Sequence, residues 1–334
     1  MGLYDFTFYD LVRTNALSFK DKQAWVDIED GRTLTFSQYK EGVDRLASGL
    51  QKYGIQKGDR IGVLAKNSME YFLLFGSAAA LGAIVLPINW RLSAEEVCFN
   101  LSDGEPRIVF ADKEYQELIR GLKERLPAVE QYFSLGPGGE GFLKFELLTE
   151  NKGAFKPTEV TTDDGFVIIH TAAVAGRPRG ALLSHGNVLH ADMHFAYLMN
   201  IKPRDVHLNF LPLFHVGGLF MATTGFHAGS LNMNMSKFDA AKATALIQER
   251  QVSFMMVFSP ILSSILEEHE KSGLDLASLR AVTGIDTRQT IEKYQDVTGG
   301  MFYAMYGQTE TSCVATFGPY NDRPGAAGRT LPLA

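Results

Sequence analysis

The stretch Phe166-Val-Ile-Ile-His-Thr-Ala-Ala-Val-Ala-Gly-Arg-Pro-Arg-Gly-Ala-Leu-Leu-Ser-His-Gly-Asn-Val188 decides how the chain is read. An apolar run from Gly165 to His170 has the composition of a buried strand. It enters a loop of small residues holding Gly176, Arg177, Pro178, Arg179 and Gly180, and a second apolar run, Gly180–Ser184, follows. Small residues let backbone N–H groups approach an anion, and two arginines add positive charge. The segment reads either as a phosphate-holding loop or as a tight hairpin with exposed arginines. Alone it does not separate the two.

Outward from this stretch, strand and helix patterns alternate. Upstream, Ala24–Ile28 and Thr33–Phe36 flank Glu29-Asp30-Gly31-Arg32 as a hairpin. Ser37 is expected to cap a helix that ends at Gly54. Tyr71 to Ile88 carries no charge, but Gly82 and Pro87 interrupt it. It reads as a buried helix, a glycine cap and a core strand rather than a membrane span. Ser93-Ala94-Glu95-Glu96 is a capping box. The Gly-, Glu- and Lys-rich segment Gly136–Thr162 reads as a surface connection between two subdomains, residues 1–162 and 163–334. Downstream strands are expected at Val206–Phe210, Gly229–Met233, Val252–Val257, Arg280–Thr283 and Met301–Ala304. The alternation predicts α/β architecture with two open sheets. In such sheets ligands bind beyond the carboxyl ends of the strands.

Composition narrows the function. The chain has 334 residues, 46% hydrophobic and 21% charged, with a net charge of −6. That fits a folded core and argues against a basic nucleic-acid binder. Cys98 and Cys313 are the two cysteines, too few for a disulfide framework or a CxxC zinc site, and a reducing cytoplasm is expected. The amino-terminal residues lack a basic start and an apolar core, so no targeting signal is expected. Gly136-Pro137-Gly138-Gly139-Glu140-Gly141 matches G-x-G-x-x-G literally, but proline sits inside the turn and no helix pattern opens there. His185, His190 and His194 imitate a metal site without an HExxH pattern.

Two further elements carry chemistry. Tyr303-Ala304-Met305-Tyr306-Gly307-Gln308-Thr309-Glu310-Thr311 follows a strand. It gathers a ring, a hydroxyl and a carboxylate that can stack a base, touch a phosphate and hold Mg²⁺. Leu211-Pro212-Leu213-Phe214-His215-Val216-Gly217-Gly218 puts a histidine between an apolar run and two glycines, which suggests a close approach at that point.

In this order the three elements resemble the adenylate-forming superfamily: acyl-CoA synthetases, aryl-CoA ligases, luciferases and peptide-synthetase adenylation domains. Supporting matches include Lys57-Gly58-Asp59-Arg60, Ser184-His185-Gly186-Asn187, Ser259-Pro260 and Gly325-Ala326-Ala327-Gly328-Arg329, so the likeness covers essentially the whole chain. It implies the large amino-terminal domain of a long-chain fatty-acid–CoA ligase-like enzyme. Such an enzyme joins a carboxylic acid to AMP using MgATP, then passes the acyl group to coenzyme A. The resemblance assigns Tyr306, Gly307, Gln308 and Thr309, with Gly284, Ile285 and Asp286, to the nucleotide. It assigns Thr171, Gly176, Arg179 and Gly180 to the phosphates, and Glu310 to Mg²⁺. His215, Gly217 and Gly218 would line the acyl pocket, with Thr309, Glu310 and His215 as the catalytic set. No nucleic acid or transmembrane segment is implied; peripheral membrane contact and a homodimer stay open.

The chain departs from the family in three places. The phosphate loop usually reads Thr-Ser-Gly-Thr-Thr-Gly-x-Pro-Lys-Gly, whereas Thr171–Gly180 lacks several hydroxyls and carries Arg179 for lysine. Ile285 and Asp286 stand where small residues are usual. The sequence ends before the ribose-binding aspartate, hinge and lid domain of the family, which makes a fragment without activity of its own the expectation. Two alternatives remain: a non-catalytic nucleotide or acyl binder on the same fold, and another adenylate-forming enzyme such as an adenylation domain. Acyl chain length, and aromatic against aliphatic substrate, are not readable.

Overall fold

The computed structural model describes residues 5–150, 155–171 and 177–332. Its helices are α1 (Phe8–Ser18), α2 (Phe36–Lys52), α3 (Met69–Leu81), α4 (Ala94–Gly104), α5 (Gln116–Leu122), α6 (Glu146–Thr149), α7 (His185–Leu198), α8 (Val216–His227), α9 (Ala240–Arg250), α10 (Ile261–Ser272) and α11 (Arg288–Thr298). The strands are β1 (Gln23–Asp27), β2 (Thr33–Thr35), β3 (Arg60–Leu64), β4 (Ile84–Pro87), β5 (Ile108–Ala111), β6 (Gln131–Ser134), β7 (Gly165–His170), β8 (Gly180–Ser184), β9 (Val206–Asn209), β10 (Leu231–Asn234), β11 (Phe254–Phe258), β12 (Ala281–Ile285), β13 (Met301–Tyr306), β14 (Thr316–Pro319) and β15 (Arg329–Thr330).

They form two compact units. The first comprises Met1–Lys22, Leu34–Leu189 and Leu213–His215 and holds a six-stranded sheet, β6-β5-β3-β4-β7-β8. All its pairs are parallel except β7–β8. The second comprises Gln23–Thr33, His190–Pro212 and Val216–Ala334 and holds a nine-stranded sheet, β15-β14-β13-β12-β11-β9-β10-β1-β2. There β1, β10, β9, β11, β12 and β13 run parallel, and β14 and β15 antiparallel.

Local chemistry explains the elements. Ser68 caps α3, whose residues are almost all buried, and Gly82 ends it in the left-handed conformation at φ 66° before β4. Ser93 and Glu96 close the expected capping box of α4. For α2 the cap is Thr35 rather than Ser37, and Gln38 completes the box. Among the described residues, no helix is long and apolar enough to cross a membrane.

The expected division at residue 162 differs from these units. β7 joins β4 at Val85↔Val167 and continues the first sheet, so the first unit runs on to Leu189. Gly136–Thr162 is not a bridge between units. Its described part belongs to the first, with Phe142, Phe145, Leu148 and Val160 buried. A Cβ on Gly49 would stand 2.2 Å from the carbonyl oxygen of Leu148, so a bare glycine lets α2 and α6 touch. Burial of those apolar residues outweighs the flexible composition around them.

Candidate functional site

In the second unit the carboxyl ends of β12 and β13 lie side by side, with Gly284 opposite Ala304. Ile285 and Tyr306, which end these strands, are each 58% exposed. An exposed large apolar side chain at a strand end is a place that a planar ligand can cover. Gly284 has φ +139°, and a Cβ there would meet the Val257 carbonyl oxygen at 1.8 Å. Only glycine lets β11 and β12 approach this closely. Asp286 accepts the Thr287 N–H at 2.8 Å through Oδ1, and its buried Oδ2 has no partner among the described residues.

The turn after β13 is locked by its own backbone. Ala315 N–H donates to the Tyr306 carbonyl at 2.8 Å, Cys313 N–H to that of Gln308 at 3.2 Å, and Ser312 N–H to that of Thr309 at 3.1 Å. The Gln308 N–H donates to the Thr311 hydroxyl. A Cβ on Gly307 would stand 1.9 Å from the Cys313 carbonyl oxygen, so this glycine is required by the turn. Thr309 is buried, and the exposed Glu310 carboxylate makes no ion pair among the described residues. A free carboxylate on a rigid turn is a suitable hard donor for a divalent cation.

In the first unit β7 and β8 form the hairpin that carries the small-residue loop. Thr171 N–H donates to the Arg179 carbonyl at 3.0 Å, and His170 is opposite Gly180. Arg179 and Gly180 are exposed, and Arg177 lies over the Phe99 ring at 5.9 Å. Gly176 lies outside the described residues. The buried His170 ring joins Asp103 at 2.9 Å and ties the hairpin base to α4.

His215 follows Leu213, whose N–H donates to Asn67 Oδ1 at 2.8 Å. The neighbouring Phe214 meets Trp90 edge-on at 6.3 Å, and Arg91 lies over Trp90 at 4.4 Å. The His215 ring is reachable by solvent although protein atoms crowd it. Partial desolvation, then the Arg91 charge, lowers its pKa. Gly217 and Gly218 open α8 and are buried. What approaches Gly218 is the chain itself: a Cβ there would lie 2.3 Å from the Pro212 carbonyl oxygen.

The structure thus brings Gly284, Ile285 and Asp286 together with Tyr306, Gly307, Gln308, Thr309 and Glu310 in one unit. Thr171, Arg179, Gly180 and His215 belong to the other. The three histidines all lie on α7 in different surroundings: His185 is fully buried and accepts the Phe8 N–H at 3.2 Å, His190 is exposed, and His194 is buried with its pKa lowered by desolvation and then by the neighbouring His190. Sequence reading missed a set of buried polar side chains, Asp27, His207, Asn209, Asn232 and Asn234. Its signal is a strict apolar–polar alternation in β9 and β10.

The model of the AMP-binding enzyme family matches residues 12–334. The chain belongs to this family. It is 31% identical over 296 residues to the fatty acid–[acyl-carrier-protein] ligase ScoC of Streptomyces coeruleorubidus, covering 86% of this chain and 55% of that protein. To the indoleacetate–CoA ligase of Aromatoleum aromaticum it is 29% identical, covering 92% and 64%. It therefore spans between half and two-thirds of these relatives. Among solved structures, a provisionally assigned long-chain-fatty-acid CoA ligase from Rhodopseudomonas palustris CGA009 is 42% identical, with a TM-score of 0.94 over 99% of this chain and 83% of that one. The amino-terminal domain of FACL13 from Mycobacterium tuberculosis is 27% identical, with a TM-score of 0.89 over 98% of this chain and 83% of that one.

Proposed function

We propose that the protein containing this chain is an ATP-dependent carboxylate–thiol ligase. The acid attacks the α-phosphorus of ATP and expels pyrophosphate, giving an acyl-adenylate. The thiol of coenzyme A then displaces AMP. The observation that carries this reading is the locked pair of strand ends in the second unit. There Ile285 ends β12 and Tyr306 ends β13, both exposed, and we assign Tyr306 to the base, Asp286 after β12, whose Oδ2 has no partner among the described residues, to an N–H of the base, and Thr309 in the turn after β13 to a phosphate oxygen. Arg179, on the β7–β8 hairpin, carries the charge for the β- and γ-phosphates and can grip bidentately. Glu310 is suited to hold Mg²⁺, which when bound neutralises phosphate charge. The lowered pKa of His215 keeps its ring neutral, fit to orient the acid. No residue has to become a covalent nucleophile; positioning and charge neutralisation supply the catalysis.

The relatives act on fatty and aryl acids by their names, and we place the substrate in that range and the protein in the cytoplasm. The complete protein with ATP, Mg²⁺, coenzyme A and a fatty and aromatic acid panel should form thioester and AMP, detected by mass spectrometry. Nucleotide binding with no thioester or acyl-adenylate for any acid would instead favour a non-catalytic binder, the reading prompted by the missing hydroxyls of Thr171–Gly180.

A further inference from the structure

Gly136–Gly141, the glycine-rich segment that imitates a dinucleotide turn, is an anchored loop in the first unit. It follows β6, the edge strand of the six-stranded sheet. The buried Ser134 hydroxyl lies 2.8 and 2.7 Å from the Gly136 and Pro137 carbonyl oxygens and accepts from the buried Gln116 amide at 2.9 Å. Gly139 sits against the same amide, since a Cβ there would lie 2.1 Å from Gln116 Oε1. The chain leaving the loop returns to β6: Leu143 N–H donates to the Tyr132 carbonyl and Ser134 N–H to the Leu143 carbonyl, both at 2.8 Å.

Two cations hold the loop from the side of α5. Arg120 donates to the Glu140 carbonyl at 3.3 Å, and Lys123 Nζ to the Gly141 carbonyl at 2.5 Å. The Lys123 ammonium lies 4.3 Å from the centre of the Tyr132 ring and 4.9 Å from that of Phe142. Between these groups is a cavity of about 480 Å³ that opens to solvent. Its lining includes Lys123, Glu130, Tyr132, Gly141, Phe142 and Leu143. That volume is in the range of small-molecule sites, about 300–1,000 Å³.

The charges in and beside the cavity do not cancel. Arg120 pairs with Glu117. Both oxygens of Glu130 are taken by Arg107, at 2.9 and 2.8 Å. Lys123 has no carboxylate partner among the described residues, and burial, then the Arg120 charge, holds its pKa below the usual lysine value. Of the three N–H groups of an ammonium, Gly141 takes one, which leaves two for a ligand. A carboxylate can accept both in charge-assisted hydrogen bonds. Tyr132 and Leu143, each half-buried, supply apolar surface in the same cavity.

We propose that this cavity binds a small monocarboxylate with an apolar body, its carboxylate on Lys123 and its body against Tyr132 and Leu143. None of these residues belongs to the candidate nucleotide site, so the reaction proposed above does not depend on them.

The test titrates the complete protein, without ATP, with benzoate and hexanoate, and with benzamide, hexanamide and inorganic phosphate as controls. Hydrogen exchange read by mass spectrometry locates the response. At least one of the two acids should slow exchange in residues 120–126 and 136–143, with a Kd of about a millimolar. The amides lack the charge and phosphate lacks the apolar body, so each should bind about tenfold more weakly or less. K123M should cost a similar factor, K123R should retain binding, and the rate of pyrophosphate release should be the same in K123M as in the parent. Thermal unfolding controls for folding, and K123Q makes the same comparison should methionine not be accommodated. No slowing in those two segments with either acid, equal binding of the amides or of phosphate, or undiminished binding in the folded variant, overturns the proposal. Slowing confined to the segments around Tyr306 would assign the acids to the candidate nucleotide site alone and overturn it too.

Discussion

Gly284→Ala is the most incisive perturbation of the strand ends. An alanine Cβ would stand 1.8 Å from the Val257 carbonyl oxygen and 2.9 Å from its carbon, at a backbone φ of +139°. Relief needs β12 to retreat from β11 by more than an ångström, carrying Ile285 and Asp286 with it. The backbone conformation alone costs about 1–2 kcal/mol in an L-residue, and overpacking adds about 1–3 kcal/mol. The expected loss of stability is about 2–5 kcal/mol, and the displaced slot should weaken AMP by about 5- to 100-fold. Gly299→Ala is the control. Its φ is +67°, but nothing lies within 4 Å of the new Cβ, so only the backbone cost applies. Urea unfolding in a Trp90→Phe background reports on the second unit, because Trp25, the other tryptophan, belongs to it. Equal destabilisation by the two substitutions, with native AMP affinity in G284A, would refute the reasoning.

Four further outcomes follow from the site and core. Tyr306→Ala should weaken AMP and ATP alike by about 5- to 100-fold through lost stacking, checked by calorimetry. Arg179→Ala should weaken MgATP far more than AMP, which lacks the β- and γ-phosphates; equal losses in the same titrations would make the arginine mere surface charge. Glu310→Gln should lower acyl-adenylate formation by orders of magnitude with an unchanged melting curve, read by pyrophosphate release. His185 is held at a pKa of about 4 against 6.5, because burial disfavours its charged form. Its unfolded state binds the extra proton, so its contribution, about 3 kcal/mol at most, is present above pH 6.5 and lost on acidification toward pH 4. Asp112, pushed up to about 6 chiefly by burial, works in the opposite sense between pH 3.8 and 6. The informative quantity is therefore the difference between H185Q and parent unfolding curves across that range, which should shrink as the pH falls.

Much of the architecture was legible because parallel strands buried on both faces read as short apolar runs between capped helices. Ser68, Gly82 and the Ser93–Glu96 box mark their elements through local hydrogen bonds that sequence displays directly. The unit boundary was not legible. Glycines and lysines in residues 136–162 suggested a linker, while Phe142, Phe145 and Leu148, spaced among them, find burial only through the tertiary fold. The strand ends holding Ile285 and Tyr306 could be found by motif, but the reasons for Gly284, Gly307 and Gly218 are backbone approaches from residues distant or several positions away. The polar face of the second sheet was missed for a related reason. Alternation in His207–Asn209 and Asn232–Asn234 resembles a half-exposed strand, and only α8 packing over it shows those amides to be buried.

Acid-dependent exchange of labelled pyrophosphate into ATP by the complete protein tests the central claim most directly, because it requires reversible acyl-adenylate formation and nothing later. The account predicts exchange with MgATP and at least one fatty or aryl acid, none without acid, and its loss in E310Q. No exchange with any acid, by a folded protein that binds ATP, would contradict it.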